Sequence, residues 1–482
     1  MIQGRILPLL LLALGAVAGT LLPASTLPGQ TARPNMVFVF VDDQRHDSLG
    51  CAGHQILKTP NIDRLAAEGV RFSNAMVTTS ICWISRSTVL TGMWSRSHGS
   101  KNNVNVVSDA AASTTYPQQL REQGYRTGFF GKWDANMPDS FDHNRAFDVY
   151  EEIDRTPYFK EQTDGTQRHT AELIGDRAVR FINTQSTTQP FCLNLWFNVA
   201  HAEDGDKRPG SGHFPWPKAV DHLYRDTKIP PPRLASPEIF ENHPQFLKKS
   251  LNRTRFHWRW DTPEKYDANM SAYFRMLSGM DRVVGRVVQA LHKQALAKNT
   301  VIVYSADNGY YLGDRGFAGK WSHYEPSIRV PLIVYDPRLQ PSRRGRVLDQ
   351  FVLNVDLPAT FLDLAGLPVP GRYQGKSLRP LVAGEATDWR SDVFLEHLPP
   401  LDERIPQWEG VRNARYKYAH YVAPGYEFLH DLKRDPDELQ NFAGDPKYEH
   451  VLEQLRQRTG VLRAQYEAAG DGFFLPATAV KP

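Results

Sequence analysis

The stretch MVFVFVDD, residues 36–43, decides the fold of this 482-residue chain. Six apolar residues, in which valine alternates with phenylalanine after the methionine, lead directly into two aspartates. A continuous apolar run of this kind is typical of a strand that is buried on both faces, as in a parallel sheet covered by helices. We therefore expect a strand here, with Asp42 and Asp43 at its carboxyl end.

Two further segments read as buried strands that end on polar residues. TVIVYS, residues 300–305, is followed by Asp307 and Asn308, and PFCLNLWFNVAHAE, residues 190–203, contains His201 near its end. Ligands of open α/β sheets bind outside the carboxyl ends of the strands. We therefore expect Asp42, Asp43, His201, Asp307 and Asn308 to share one site.

Helical patterns alternate with these strands. Residues 59–69 and 117–124 read as short helices, and residues 262–294 carry apolar side chains at helical spacing. This alternation predicts an α/β fold over residues 33–375, with a large, mostly parallel sheet sandwiched by helices. Over residues 376–475 the pattern changes to short strands, DVFLEH, GVRNARYKYAHYV and YEFLHDL, and a last helix near residues 447–469. We expect a smaller antiparallel α+β subdomain there.

The first 24 residues have the composition of a secretory signal peptide. One arginine precedes a leucine-rich run, residues 7–14, and small residues allow cleavage after Ala18 or Ala24. The run is too short and too interrupted to span a bilayer comfortably, and no later segment reaches the roughly 20 apolar residues that a spanning helix needs. We expect an exported protein, periplasmic or extracellular, without a stable membrane span. An uncleaved anchor is the alternative.

Charge and cysteine content narrow the function further. The net charge of +4 arises from mixed signs along the chain, which gives no indication of binding to nucleic acid or to acidic membranes. Three cysteines, Cys51, Cys82 and Cys192, do not make a disulfide framework, and at least one thiol stays unpaired. An unpaired thiol in an exported protein calls for a chemical explanation.

The acidic residues at the strand ends point to a metal. Asp42, Asp43, Asp307 and Asn308 together offer three carboxylates and an amide oxygen. Such hard oxygen ligands suit Ca²⁺ or Mg²⁺ rather than Zn²⁺. Each pair taken alone would more simply be a turn or a helix cap after a strand. Two such pairs at strand ends of one sheet favour a metal site.

Cys82 lies in TTSICWISRSTVLTG, residues 78–92. Residues 85–91 can start a helix, with Thr79 or Ser80 as its cap. The amino end of a helix binds anions and lowers the pKa of a thiol, whereas an isolated cysteine is more often a small buried apolar residue. The local pattern leaves three alternatives: a packing residue, a nucleophilic thiol, or the precursor of another group.

Seven motifs follow one another along the chain: RPNMVFVFVDDQRHDSLG, CWISRSTVLTG, GYRTGFFGKW, NVAHAE, YSADNGYYLGDRGFAGKW, EPSIRVPLIV and RYKYAHYVAPGYEFLHDLKRDPDELQN. Their order and spacing resemble those of type I sulfatases of the alkaline phosphatase superfamily, from residue 33 to about residue 441. The resemblance implies an alkaline phosphatase-like fold. It also implies removal of sulfate from a sulfated carbohydrate or an aryl sulfate.

The resemblance implies roles for individual residues. In such sulfatases a maturation enzyme oxidises the cysteine of a Cys-x-Pro-Ser-Arg motif, so Cys82 is implied to be the precursor of formylglycine, whose hydrated aldehyde is the nucleophile. The implied ligands of Ca²⁺, with Mg²⁺ as the alternative, are Asp42, Asp43, Asp307 and Asn308. The other implied site residues are Arg86, which steadies the formylglycine, Lys132 and Lys320, which bind sulfate, and His201, an acid or hydrogen-bond donor near the leaving oxygen.

Two positions depart from the family pattern. Position 84 is isoleucine where the motif has proline or alanine, and position 134 is aspartate where a GKWH motif would supply histidine. Asp134 is either a base or a side chain that points away from the sulfate, because an unpaired carboxylate is repelled by sulfate. His397 and Arg412, from the C-terminal part, are further candidates for substrate contacts.

The segment of residues 203–266 is long, irregular and rich in proline, tryptophan, histidine and arginine. A segment of this kind inside a compact domain is usually functional or disordered. Trp216, Trp258 and Trp260, with Arg259, either hold a sulfated sugar at the rim of the site or pack inward.

Two other functions fit the same motifs. A phosphomonoester, phosphodiester or phosphonate hydrolase of the same superfamily would use Cys82 or its aldehyde on a phosphoryl group, and the missing histidine at position 134 favours it. A catalytically inactive protein that binds sulfated glycans is favoured by Ile84 but opposed by the complete metal set and both lysines.

Overall fold

The computed structural model describes residue 1 and residues 33–101, 105–205, 213–385, 388–398 and 404–470. The opening apolar stretch forms the expected strand, and all seven of its residues are buried. The strands, in chain order, are β1 Asn35–Val41, β2 Val70–Phe72, β3 Ala75–Met76, β4 Arg126–Gly131, β5 Val149–Glu152, β6 Phe159–Glu161, β7 Gln167–His169, β8 Phe191–Trp196, β9 Thr300–Ala306, β10 Leu332–Tyr335, β11 Arg346–Leu348, β12 Val352–Leu353, β13 Asp392–His397, β14 Trp408–Asn413, β15 Tyr416–Tyr421 and β16 Tyr426–Asp431.

The α-helices alternate with the strands over most of the chain. They are α1 Pro60–Glu68, α2 Cys82–Thr91, α3 Ser95–His98, α4 Asp109–Ala112, α5 Tyr116–Glu122, α6 His143–Ala146, α7 Thr170–Asn183, α8 Pro237–Glu241, α9 Gln245–Lys248, α10 Leu251–Arg259, α11 Pro263–Lys293, α12 Glu325–Ile328, α13 Asp356–Leu364, α14 Arg379–Ala383 and α15 Glu449–Ala468. The helices predicted near residues 59–69, 117–124, 262–294 and 447–469 are confirmed as α1, α5, α11 and α15.

The large sheet has eight strands in the order β11-β2-β10-β9-β1-β8-β4-β5. β1 is parallel to both of its neighbours, β8 and β9. β10 is antiparallel to β9 and β2, whereas the remaining pairs are parallel. The predicted mostly parallel sheet is thus confirmed, with one antiparallel strand inserted near an edge.

Helices cover this sheet and complete its core. α11 packs against α7 and α1, and α13 packs against α5 and α2. α11 begins with Thr262, whose side chain accepts a hydrogen bond from the Lys265 N–H, and Pro263 occupies the first turn, where its missing N–H costs nothing. The main apolar core combines side chains of the sheet with those of these helices.

The C-terminal part contains an antiparallel sheet in the sequential order β13-β14-β15-β16, with α15 packed on β14. Residues 410–422, predicted as one strand, belong to two. Asn413 explains the break, because its Oδ1 accepts hydrogen bonds from the N–H groups of Arg415 and Tyr416 at 2.9 and 2.7 Å. An asparagine that bonds the backbone two residues ahead in this way forms a tight turn.

The described residues from 33 onward group into one compact unit. Its second apolar cluster joins Trp94, Tyr311 and Phe317 to side chains of the C-terminal sheet. The domain boundary between residues 375 and 376 stays a prediction. The signal peptide predicted for residues 1–24 lies, apart from Met1, outside the described residues. No helix in the described part of the chain has the length and apolar character needed to cross a membrane.

Candidate active site

Four neighbouring strands, β9, β1, β8 and β4, have their carboxyl ends at one edge of the large sheet. The registers pair Val41 with Ala306, and both Phe40 and Gly131 with Trp196, so the chain leaves these strands at nearly the same level. The polar residues that follow the strands are Asp42 and Asp43 after β1, Lys132 after β4, His201 after β8, and Asp307 and Asn308 after β9. The structure therefore brings together the residues predicted from the strand ends.

The acidic residues and Asn308 are buried and only partly hydrogen-bonded. The Asp43 N–H donates to Asp307 Oδ1 at 3.2 Å, and the Asn308 amide donates to Asp43 Oδ1 at 2.6 Å. Asp42 Oδ1, Asp43 Oδ2 and Asn308 Oδ1 lie buried without a hydrogen-bond partner. Because an unpartnered buried oxygen costs free energy, this set of three fits a hard cation such as Ca²⁺ or Mg²⁺. Possible ligand atoms of Asp42, Asp43 and His201 also lie within 4.8 Å of one another.

Two lysines face these carboxylates. Lys132 Nζ lies 2.6 Å from Asp42 Oδ2, and Lys320 Nζ contacts Asp43 Oδ1 and lies 3.9 Å from Asp42 Oδ1. Burial opposes the charged form of Lys320, but Asp43 raises its pKa above the usual value. The site therefore holds two fixed ammonium groups at neutral pH, as electrostatic binding of an anion requires.

Arg86 lies one turn after Cys82 on α2 and is fully buried. Its Nη2 lies 2.8 Å from Asp307 Oδ2, and its Nη1 donates to the Lys132 backbone oxygen at 2.8 Å. The guanidinium therefore joins the helix that carries Cys82 to the ends of β9 and β4. Its predicted contact with the modified Cys82 side chain stays a prediction.

The charges in the site shift one another's protonation. Burial alone would raise the pKa of Asp42, but nearby cations, Lys132 foremost, hold it below the usual value. The pKa of Asp307 is raised to about 7 by burial and by the charge of Asp42. Carboxylates crowded in this way repel one another unless cations separate them, which again favours a bound metal.

Cys82 is the first residue of α2, so the helix begins earlier than the segment of residues 85–91 that was predicted to start it. Ile81 is the N-cap, and no side chain caps the helix. The prediction of Thr79 or Ser80 as cap is wrong. The Ser80 hydroxyl instead donates to the Ser327 backbone oxygen at 2.6 Å, which removes it from the helix end.

The thiol of Cys82 is half-buried and unpaired. The expected lowering of its pKa at the helix end does not occur, because burial raises the pKa to about 12, and Lys132 and Lys320 only partly oppose this. The thiolate is the nucleophilic form of cysteine. Unmodified Cys82 is therefore a poor nucleophile at neutral pH.

Ile84, the departure from the family motif, belongs to a small apolar cluster. It is fully buried and groups with Ile81, Trp321 and Ile405, against which Cys82 packs. Position 84 lies in the first turn of α2, where backbone N–H groups have no partner within the helix. The residue thus contributes packing beside Cys82 rather than a polar contact.

His201 points into the site from the loop after β8. Its Nε2 lies 3.7 Å from Asp43 Oδ2, and its Nδ1 contacts the guanidinium of Arg155. Nδ1 also lies 2.7 Å from the backbone oxygen of Ala202, so it stands between a group that can only donate and a group that can only accept. Burial, aided by Arg155, lowers the pKa of His201 well below its usual value. The ring is therefore neutral, and its Nε2 faces the carboxylates.

Asp134 lies at the mouth of the site, with its side chain 36% exposed and its Oδ2 2.9 Å from Lys132 Nζ. Its backbone has a positive φ of 46°, which non-glycine residues rarely adopt. Burial raises the pKa of Asp134, but Lys132 outweighs burial and lowers it. The carboxylate is ionised and paired; a role as base stays a prediction.

The contacts of the two C-terminal candidates lead away from Cys82. Arg412 lies 3.3 Å from Glu325 Oε1 and packs over the Phe351 ring. His397 is fully buried, neither ring nitrogen has a hydrogen-bond partner, and burial lowers its pKa to about 3. Their contact with substrate stays a prediction.

Of the predicted tryptophans, one packs inward, and a sugar contact of the other two stays a prediction. Trp260 is 4% exposed and packs on Phe214 and Tyr266, so it points inward. Trp216 is half-buried, and its indole N–H donates to Asp221 Oδ1 at 2.6 Å. Trp258 is half-buried.

Sequence reasoning missed Arg155 and Arg255. Arg155 follows β5 and contacts His201, and Arg255 lies on α10 with its guanidinium 4.9 Å from the centre of the Trp321 ring. The sequence contained one indication for Arg155, because this residue follows a strand that borders the predicted site. Arg255 lies in the irregular segment, where no periodic pattern orients a side chain.

Two family profiles match the chain. The profile of the family described as Sulfatase matches residues 34–367, and that of N-sulphoglucosamine sulphohydrolase, C-terminal, matches residues 313–465. The N-acetylglucosamine-6-O-sulfatase of Bacteroides thetaiotaomicron is 27% identical over 515 residues, covering 91% of this chain and 88% of that protein.

Two solved structures resemble the whole fold. One is a complex with its substrate D-glucosamine-2-N,6-O-disulfate, with a TM-score of 0.74 and 24% identity over 90% of this chain and 98% of the other. The other is the phosphonate monoester hydrolase of Agrobacterium radiobacter, with a TM-score of 0.74 and 23% identity over 90% of this chain and 96% of the other. At these identities the likeness concerns the fold alone.

Proposed function

The chain belongs to the sulfatase family, whose profile matches residues 34–367, and from that premise we propose that it hydrolyses a sulfate ester of a sugar with a formylglycine made from Cys82. One observation carries the proposal: three unpartnered oxygens and two lysines converge beside Cys82 at one sheet edge. A sulfated sugar is favoured over a simple aryl sulfate because the curated relative of Bacteroides thetaiotaomicron is named for a sulfated glucosamine.

The proposed metal is Ca²⁺, with Mg²⁺ as the alternative. Asp42, Asp43, Asp307 and Asn308 would hold it through carboxylate and amide oxygens, of which three have no other partner. When bound, a divalent ion neutralises the carboxylates and polarises a sulfate oxygen, while a formylglycine supplies a hydrated aldehyde as the nucleophile.

Lys132 and Lys320 bind the sulfate in this proposal. Both are protonated and fixed by Asp42 and Asp43, so they need not reorganise when negative charge builds up on the transferring group. Fixed charges in a site with little water stabilise such a transition state more than the same charges would in water. The positive charges of the two ammonium groups also offset the repulsion between the sulfate and an incoming nucleophile.

His201 donates a hydrogen bond to the leaving oxygen in this proposal. Its Nε2 lies on the carboxylate side of the site, 3.7 Å from Asp43 Oδ2, and carries the proton in this proposal. A neutral imidazole in that tautomer can stabilise an alkoxide by donating, without first taking up a proton. Arg155 acts through His201 and is a positioning residue.

The high pKa of the Cys82 thiol, about 12, supports a modified residue rather than a working thiol. Conversion requires a formylglycine-generating enzyme, and we propose that this partner acts on the chain during export. The proposed route is cleavage of the signal peptide after Ala18 or Ala24 and release to the periplasm or the extracellular space.

Paired assays test the proposed function. Protein coexpressed with a formylglycine-generating enzyme is offered nitrophenyl sulfate, N-acetylglucosamine-6-sulfate, nitrophenyl phosphate and a phenyl phosphonate ester. We expect the highest kcat/KM on a sulfate ester, and none when Cys82 is replaced by serine. A preference for the phosphonate or phosphate would overturn the proposal in favour of phosphoryl transfer, and no turnover with fully modified Cys82 would favour a binding protein.

A further inference from the structure

Three arginines from different segments meet beside the candidate active site. Arg155 follows β5, and Arg255 and Arg259 lie one turn apart on α10. Arg255 Nη2 lies 2.9 Å from Asp204 Oδ2, and Arg259 contacts the other oxygen of the same carboxylate. Asp204 also contributes to the electrostatic environment of Arg155. We call Arg155, Arg255 and Arg259 the arginine wall.

The arginine wall adjoins the site on two sides. Arg155 contacts His201. Arg255 stacks on Trp321, the residue after Lys320, and Trp321 shares an apolar cluster with Cys82. The wall therefore contacts the proposed proton donor directly and is separated from the nucleophile position by one side chain, Trp321.

The third arginine reaches the metal side of the site. Arg259 is fully buried, and its Nη1 donates to the hydroxyl of Tyr310 at 3.2 Å. Tyr310 stands two residues after Asn308. The three guanidiniums thus border the site from His201 to the loop after β9.

The positive charge of the wall exceeds the negative charge that contacts it. Within the described ranges, Asp204 is the single carboxylate at ion-pair distance from any of the three guanidiniums. Glu203, next in the chain, instead accepts from the Thr156 hydroxyl at 3.2 Å. Among the described residues the wall thus has three positive charges and one contacting carboxylate, and an excess of this kind is costly to keep half-buried.

Unused hydrogen-bond donors accompany this excess. The Nε atoms of Arg155, Arg255 and Arg259 are buried and have no partner in the described part of the chain. Arg255 and Asp204 still reach solvent, with side chains 14% and 27% exposed. Solvent thus reaches the arginine wall at Arg255 but not at Arg259.

We propose that the arginine wall binds a second anionic group of the substrate, so that the preferred substrate carries the reacting sulfate ester and a further sulfate or carboxylate. This inference rests on the proposed sulfatase function. Sulfate and carboxylate share the oxygen geometry that a guanidinium fork binds with two parallel hydrogen bonds. Arg255, the accessible member, makes the contact, while Arg259 and Asp204 hold it in place. The ring of Trp321, which is 6% exposed, supports the guanidinium of Arg255.

The experiment measures binding without turnover. Protein with Cys82→Ser is titrated by calorimetry with N-acetylglucosamine-6-sulfate, with glucosamine-2-N,6-O-disulfate and with a disaccharide in which one 6-sulfated glucosamine is linked to a uronic acid. The same titrations use Cys82→Ser with Arg255→Gln. The matched control adds Arg253→Gln, because Arg253 lies on the same helix but packs over Phe240 and donates to the Gly316 backbone oxygen.

We expect at least one of the doubly anionic sugars to bind about tenfold more tightly than the monosulfated sugar, the value of one charged hydrogen-bonded contact. Arg255→Gln should remove most of this preference, and Arg253→Gln should keep it. Which doubly anionic sugar shows the preference distinguishes sulfate from carboxylate.

Equal affinity for all three sugars, or a preference that survives Arg255→Gln, would overturn the second anion site. Because binding is measured without turnover, that result leaves the sulfatase proposal standing. Failure of the sulfate assays with modified Cys82, in turn, would not alter the binding ratios. Melting temperatures of the three variants within a few degrees of one another establish that each is folded.

Discussion

At the scale of single residues, Lys132 and Lys320 differ from ordinary lysines because the fold fixes their charge. Each lies against a buried aspartate, and Lys320 is 2% exposed. The sequence predicted both as sulfate ligands through their GKW motifs, but not that Lys132 would also pair with Asp134 at 2.9 Å. Asp134 has a positive φ, and no local sequence pattern predicts this backbone conformation.

Replacing either lysine by alanine should reduce kcat by about 10²-fold or more, since one preorganised charge near the transition state is worth that much. Steady-state kinetics on a sulfate ester measure this. The control is Lys293→Ala, at an exposed position on α11, which should leave kcat unchanged. If Lys132→Ala or Lys320→Ala folds and turns over at the wild-type rate, that lysine does not bind the reacting sulfate.

Ile84→Pro should increase the fraction of Cys82 that becomes formylglycine in a generic host. A maturation enzyme reads the motif in an extended, unfolded chain, and proline biases the preceding residue towards extended geometry. Isoleucine, being β-branched, favours extended backbone less strictly, so the wild type should be converted in part. Mass spectrometry of the tryptic peptide of residues 72–86 measures the fraction in both proteins.

In the folded structure the same bias opposes the helical conformation of Trp83, the second residue of α2, so Ile84→Pro should also cost some stability. Position 84 lies in the first turn of α2, where proline removes no helical hydrogen bond, although lost packing on Trp321 should cost about 1 kcal/mol. Ser87→Ala, on the same helix, serves as control and should not alter conversion. An unmodified thiol in wild-type protein that is active would contradict the formylglycine mechanism itself.

At the scale of elements, the sequence predicted strands better than the ends of helices. β1 and β9 are continuous β-branched and aromatic runs, so burial on both faces followed from their composition. The start of α2 did not, because Ser80 donates to Ser327, a partner 247 residues away. The turn at Asn413 was not predicted either, because this asparagine lies within an otherwise strand-like pattern.

Arg96 on α3 should dominate the attachment of the C-terminal sheet to the rest of the chain. Its side chain is 2% exposed and binds Glu396 of β13 at 2.5 Å, Glu409 of β14 at 2.9 Å and Glu467 of α15 at 2.6 Å. Arg96→Met leaves the fully buried carboxylate of Glu396 without its cation, so the free energy of unfolding should fall by about 3–5 kcal/mol.

Urea unfolding measures this loss. The control is Arg458→Met, which breaks an ion pair between α15 and Asp392 whose arginine is 43% exposed, and which should cost less than about 1 kcal/mol. Equal losses in the two variants would mean that the Arg96 cluster does not hold the C-terminal sheet.

At the scale of the whole molecule, the alternation of strands and helices was enough to predict the architecture, and the strand ends were enough to predict that Asp42, Asp43, His201, Asp307 and Asn308 come together. The arginine wall could not be predicted, because Arg155 and Arg255 are separated by 100 residues and are linked through Asp204, which pairs with Arg255 and acts electrostatically on Arg155. Contacts between irregular segments depend on the finished packing of the sheet, which sequence patterns do not encode locally.

Removal of the metal should destabilise the entire molecule. The proposed ligands follow β1 and β9, two paired strands at the centre of the sheet, so a bound ion stabilises the core of the fold rather than a loop. An ion present at about 100 times its Kd contributes about 2.7 kcal/mol to the free energy of unfolding. Exhaustive dialysis against a chelator should therefore abolish sulfatase activity and lower the melting temperature, and added Ca²⁺ should restore both.

Asn308→Ala makes the test specific, because it removes one of the three unpartnered oxygens without adding a charge. In this variant the melting temperature should respond less to chelation and to added Ca²⁺ than in the wild type, as the site binds the ion more weakly. Calorimetric melting curves of both proteins, with metal content measured by atomic emission, make the comparison. If the wild type keeps its activity and its melting temperature after the metal has been shown to be gone, the crowded carboxylates are held apart by Lys132, Lys320 and Arg86 alone, and the metal assignment is wrong.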